Sequence, residues 1–141
     1  MSDLLFTNTA VTHATIARIQ TILAHPENLP LWDGEIITVT ATPLGFEISR
    51  QAPALNTTEE LITSMTANHI SYHSHGGRLA YQLDFSFTAT DALTTITETL
   101  RTSGDDLPVP IKLLVPIAKQ AFAQKLQSLV ALAESDQEVT V

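Results

Sequence analysis

The sequence predicts an α+β domain in which a strongly curved, seven-stranded antiparallel sheet wraps a long C-terminal helix, with two short helices between the first and second strands. Three observations carry that prediction. Residues 35–101 read as consecutive strands divided by tight-turn signals, residues 12–32 hold two short helical patterns, and residues 110–133 carry an apolar stripe of helical period. A sheet and a helix of this kind each leave one apolar face open, and packing one around the other buries both.

The elements follow in order. Leu4 to Val11 alternates as a strand, and the period changes near Thr12, after which Ile16, Ile19, Ile22 and Leu23 recur at helical spacing. Pro26 disfavours helical geometry at His25 and closes this helix. The run PENLPLWD then offers a second helical turn with Pro26 near its beginning and Trp32 at its end. Threonine is abundant in the segments read as strands, as suits a β-branched side chain with one polar atom on a half-exposed pleated surface.

Turn signals set which side chains share a face. A two-residue turn at Gly76-Gly77 pairs His75 with Arg78 and therefore Tyr72 with Tyr81 and Ile70 with Leu83. Ile70, Tyr72 and Ser74 then face the core with Leu79, Tyr81, Leu83, Phe85 and Phe87, leaving His69, Ser71, His73 and His75 outside with Asp84, Gln82, Ala80 and Arg78. A turn at Ala67-Asn68 sends Leu61, Thr63 and Met65 inward. One at Pro43-Leu44 does the same for Ile37, Val39, Phe46, Ile48 and Arg50. A turn at Thr90-Asp91 directs Thr94, Ile96, Glu98 and Leu100 inward, whereas a three-residue loop would turn Leu93, Thr95, Thr97 and Thr99 there. The last helix, from about Pro110 to Ala133, carries Leu114, Ala118, Phe122, Leu126, Leu129, Val130 and Ala133 on one side, with Gln120, Gln124 and Gln127 elsewhere. Pro108, Pro110 and Pro116 crowd its start.

Composition narrows the function. The 141 residues are read as one domain, 1–141, with an ordinary globular balance of 44% hydrophobic and 16% charged residues. A net charge of −8 repels phosphate backbones and anionic lipid headgroups, so neither nucleic acid nor a membrane surface is an expected partner. There is no cysteine, no basic and apolar leader in MSDLLFTNTA, and no apolar run near the ~20 residues of a membrane-spanning helix. A cytoplasmic protein is expected. The sequence lacks a phosphate loop and a nucleophile elbow, and no cofactor is expected. His69, His73 and His75 share a strand face, but alternate strand residues stand about 7 Å apart, too far to converge easily on one ion, and we read them as an exposed polar face.

The element order, together with the segment ILAHPENLPLWDGEIITV (Ile22 to Val39) and above all its Leu23 to Asp33 stretch, resembles the START-like (SRPBCC) superfamily of helix-grip proteins. That superfamily includes lipid-transfer domains, the birch-pollen-allergen group and polyketide cyclase/dehydrases. The resemblance covers essentially the whole chain and implies an elongated cavity between sheet and long helix for a sterol, lipid, polyketide, quinone or similar molecule. Trp32, Phe46, Ile48, Tyr72, Tyr81, Phe85 and Phe122 would line such a space or, alternatively, fill a solid core. Arg50 and Glu98 are inward-facing charges, costly unless paired. In one reading Arg50 anchors a ligand carboxylate or phosphate, or Glu98 with a raised pKa is a general acid/base, as in a cyclase/dehydrase-type enzyme. In the other both reach water at strand ends, or the last strand is shifted by one residue. A binder or carrier of an apolar small molecule ranks first, the cyclase/dehydrase-type enzyme second, and an interaction module third.

Overall fold

The computed structural model describes residues 3–102 and 111–141; the predicted helix start at Pro110, and Pro108, lie outside the described residues. Strand β1 (Asp3–Thr12) leads into helix α1 (Ile16–Ala24) and a 3₁₀ helix (Pro26–Leu31). Strands β2 (Ile36–Ala41), β3 (Phe46–Arg50), β4 (Thr58–Thr66), β5 (His69–His75), β6 (Tyr81–Thr90) and β7 (Leu93–Thr102) follow, and helix α2 (Ile111–Glu134) comes last. The strands form one seven-stranded antiparallel sheet in the order β1-β7-β6-β5-β4-β3-β2. The predicted architecture is present.

Local chemistry sets the boundaries. Thr15 caps α1 by accepting the Arg18 N–H at 3.1 Å, which satisfies a backbone donor that the helix itself leaves open. Pro26 then begins the 3₁₀ helix, where a missing N–H costs nothing. Helix α2 keeps Pro116 within it, on an exposed side. Its buried side carries Leu126, Leu129, Val130, Leu132 and Ala133 into a core shared with Ile19, Ile22, Leu23, Ile70, Phe85 and Ile96.

The hairpins confirm most of the expected faces and the turns at Ala67-Asn68 and Pro43-Leu44, and correct the other two registers. At β4/β5 the Ala67-Asn68 turn is present and Leu61 is buried, but Met65 near its tip is 59% exposed. At β5/β6 the connection is longer than two residues, so Tyr72 pairs with Leu83 rather than Tyr81, and Ile70 with Phe85 rather than Leu83. Asn56 holds this longer connection: its side-chain oxygen accepts the Leu79 N–H at 2.8 Å while its amide donates to the Leu79 carbonyl at 2.8 Å. At β6/β7 the turn is Asp91-Ala92, both in the left-handed region with φ of 51° and 66°, one residue beyond the expected centre. Both corrections displace the pairing by two residues, which preserves the faces: Ile70, Tyr72, Leu83, Phe85, Ile96, Glu98 and Leu100 are all buried. In β2 an irregularity between Ile36 and Thr38 inverts one position, so Ile36 is buried and Ile37 is 62% exposed, against expectation.

Asn56 gives a first test. A Cβ on Gly77 would stand 2.5–2.9 Å from three atoms of the Asn56 amide, too close to coexist with the Leu79 bonds. Gly77→Ala is expected to cost about 1–3 kcal/mol by displacing a buried, doubly bonded amide. Urea unfolding checks this; a variant as stable as the parent would contradict it.

Candidate functional site

The concave face of the sheet and α2 do not meet everywhere. Between them lies a cavity of about 290 Å³, walled by Leu5 and Leu100 of the sheet, by Leu114, Val115, Ala118 and Phe122 of α2, and by the β3/β4 connection at Pro53, Ala54 and Leu55. This is near the lower end of ordinary small-molecule sites. Its polar end is formed by Glu35, Arg50, Asn56, Tyr81 and Lys125. A smaller void of about 20 Å³ continues inward past Trp32, Ile48, Glu59 and Tyr72, and shares Arg50, Tyr81, Phe122 and Lys125 with the larger one.

The sequence-derived candidates therefore divide. Arg50, Tyr81 and Phe122 border both spaces, while Trp32, Ile48 and Tyr72 border only the inner one. Phe85 borders neither and is fully buried, packed edge-on against Trp32 (6.4 Å between centroids) and Tyr72 (5.7 Å) as core. Phe46 is half-buried and also lies outside both linings. Phe122 packs on Phe6 at 5.4 Å and carries the Lys125 ammonium 5.2 Å above its ring. The indole N–H of Trp32 is buried with no hydrogen-bond partner among the described residues.

Protein groups hold the Arg50 guanidinium. Its Nε donates to Glu59 Oε1 at 2.9 Å; one terminal nitrogen reaches the same oxygen at 2.8 Å and the Tyr81 hydroxyl at 3.4 Å, and the other donates to Asp33 Oδ2 at 3.2 Å. Burial disfavours its charge, but Tyr81, Glu59 and Asp33 together outweigh that, and its pKa lies above the ordinary value. Glu59 is enclosed, its second oxygen accepting from Ser74 and from Asn56 at 3.3 Å. Lys125 extends the network from α2, at 2.9 Å from Glu35 and 3.4 Å from Asp33. Burial, and for Tyr81 the adjacent Glu59, raises the pKa of both Tyr72 and Tyr81, so the two phenols keep their protons.

Glu98 points inward from β7 and is fully buried, yet borders neither space. Asn8 donates to its Oε1 at 3.3 Å, and Oε2 has no partner among the described residues. Burial pushes its pKa up to about 7, with the Asn8 bond and the Lys125 charge pulling the other way. On the outer face, His69 lies 3.5 Å from Asp84, and no group of three metal-ligating side chains occurs among the described residues.

Sequence reasoning missed Asp33, Glu35, Asn56, Glu59 and Lys125. A signal existed for Glu59: it stands two residues before Leu61 and so shares its inward face.

No family model matches the chain and no curated relative does. Solved structures do. A START superfamily protein from Mycobacterium smegmatis superposes with a TM-score of 0.76 at 18% identity, covering 92% of this chain and 96% of that one. The Zhui aromatase/cyclase from a Streptomyces species gives 0.75 at 16% identity, covering 95% and 94%. The di-domain aromatase/cyclase StfQ of steffimycin biosynthesis gives 0.71 at 14% identity over 92% of this chain and 50% of its own. The chain thus has the START-like helix-grip fold. Among the described residues no helix is long and apolar enough to cross a membrane.

Proposed function

We propose that this protein binds or carries a small, largely apolar molecule in the cavity between its sheet and α2. The observation that supports this is the cavity itself: about 290 Å³ walled mainly by Leu, Val, Ala, Pro and Phe, with its polar groups gathered at one end. Such a space holds roughly ten waters at liquid density, and apolar walls hold water poorly. A second reading, polyketide cyclase/dehydrase-type chemistry with Glu98 as acid/base, draws on the two aromatase/cyclases of the same fold and on the pKa of that carboxyl near 7. Its position outside both cavity linings favours the binder, since a general acid must reach the proton it transfers.

Filling the cavity is the test. Ala118 sits on its helical wall, half-buried, and Ala118→Trp places an indole in the space. The uncharged fluorophore N-phenyl-1-naphthylamine is expected to bind the parent protein stoichiometrically, and the variant at least about tenfold more weakly with its thermal transition retained. Equal binding by both would place the probe elsewhere and remove the reading.

A further inference from the structure

The charges at the polar end define what head group the cavity takes. Two cations, Arg50 and Lys125, stand there with three carboxylates, Asp33, Glu35 and Glu59, for a sum of +2 − 3 = −1. Each cation is shared between carboxylates: Arg50 lies 2.8 Å from Glu59 and 3.2 Å from Asp33, and Lys125 lies 2.9 Å from Glu35 and 3.4 Å from Asp33. An anionic head group reaching this end would find no unpaired cation among the lining residues and would have to break one of these pairs while meeting a net negative charge in a partly desolvated space. An uncharged hydroxyl meets neither obstacle. Glu35, more than half exposed at the mouth, uses one carboxylate oxygen on Lys125, and its other oxygen accepts no hydrogen bond among the described residues.

From this arrangement we infer that the cavity selects uncharged molecules that combine an apolar body with a hydrogen-bond-donating head, such as an alcohol or phenol. It discriminates against carboxylates and phosphates of the same shape, with Glu35 setting that preference. The inference rests on the binding reading above and adds the ligand's charge class to it.

Two competitors with one hydrocarbon body separate the two levels. N-phenyl-1-naphthylamine bound to the protein at pH 8 is titrated with 1-decanol and, separately, with decanoate. Decanol is expected to displace the probe at least about tenfold more effectively than decanoate. Glu35→Gln removes a negative charge and weakens the 2.9 Å hold on Lys125, so decanoate should gain on decanol until the gap falls to about threefold or less. Glu35 is 57% exposed, so the variant keeps the fold. Decanoate matching or surpassing decanol on the parent protein would overturn the charge preference while leaving the cavity as a binding site. A tenfold gap that persists in Glu35→Gln would overturn the role of Glu35. Failure of the probe to bind the parent at all would remove the binding reading, and this inference with it.

Discussion

Arg50→Met is expected to lower the unfolding free energy by about 3–5 kcal/mol, because it strands a carboxylate rather than merely deleting a cation. Glu59 has no exposed side-chain surface, and Arg50 supplies two of the contacts on one of its oxygens. Without the guanidinium, Ser74 and Asn56 remain as neutral donors to a buried negative charge. In a domain of this size the loss corresponds to a fall in melting temperature of about 10–20 °C. Adding Glu59→Leu to Arg50→Met removes the stranded charge and should restore most of the stability, since apolar replacement of a whole buried pair is often near neutral. A double variant no more stable than the single one would show that the deficit comes from lost packing and not from the unpaired carboxylate.

The second large effect concerns Glu98 and depends on pH. Burial raises its carboxyl pKa from the ordinary 4.5 to about 7, so between these limits the native state holds a proton that the unfolded chain has released. A raised carboxyl pKa adds stability below the lower value and loses it as pH rises through the upper one, here by up to about 3 kcal/mol. The parent is therefore expected to weaken from pH 5 to pH 8 relative to Glu98→Gln. The variant keeps an oxygen for the Asn8 amide and carries no ionisable group, so at pH 8 it should be the more stable by about 2–3 kcal/mol. Glu134 behaves oppositely. Bonds from Thr12 and the His13 N–H hold its pKa below the ordinary value, so its contribution is lost as pH falls. Comparing parent with variant by urea unfolding from pH 5 to 8 cancels that background, and parallel curves would show that Glu98 titrates normally.

What the sequence made legible was parity. Strand side chains alternate with a fixed period of two, so both misplaced turns, each displacing the pairing by two residues, still delivered Tyr72, Phe85, Ile96 and Glu98 to the correct side. An irregularity of odd length, beside Ile37, reversed a residue. Loop lengths were the illegible part: at β5/β6 the connection is held by a partner remote in sequence, Asn56 on Leu79, and at β6/β7 two non-glycine residues, Asp91 and Ala92, take the left-handed turn. The same distinction governs the site. Arg50 and Glu98 stood out as inward charges, but the partners of Arg50 lie at Asp33, Glu59 and Tyr81, and Lys125 joins them from another element altogether. Periodicity reports a direction, whereas a pairing needs the three-dimensional neighbourhood.

The position of β1 has a consequence for how the molecule comes to exist. Strands β2 to β7 form a chain of neighbours, each beside the strand made just before it, and hairpins of this kind close quickly. Strand β1 is made first but pairs only with β7, and its bond from Asn8 to Glu98 spans 90 residues. Loop-closure entropy delays such a contact until the rest of the sheet can receive it. Leu5, a wall of the cavity, belongs to that strand, and α2 packs on it. The space exists only once β1 and α2 are both in place, so a molecule that occupied it would act on the completed state alone, drawing the equilibrium toward the finished protein by mass action.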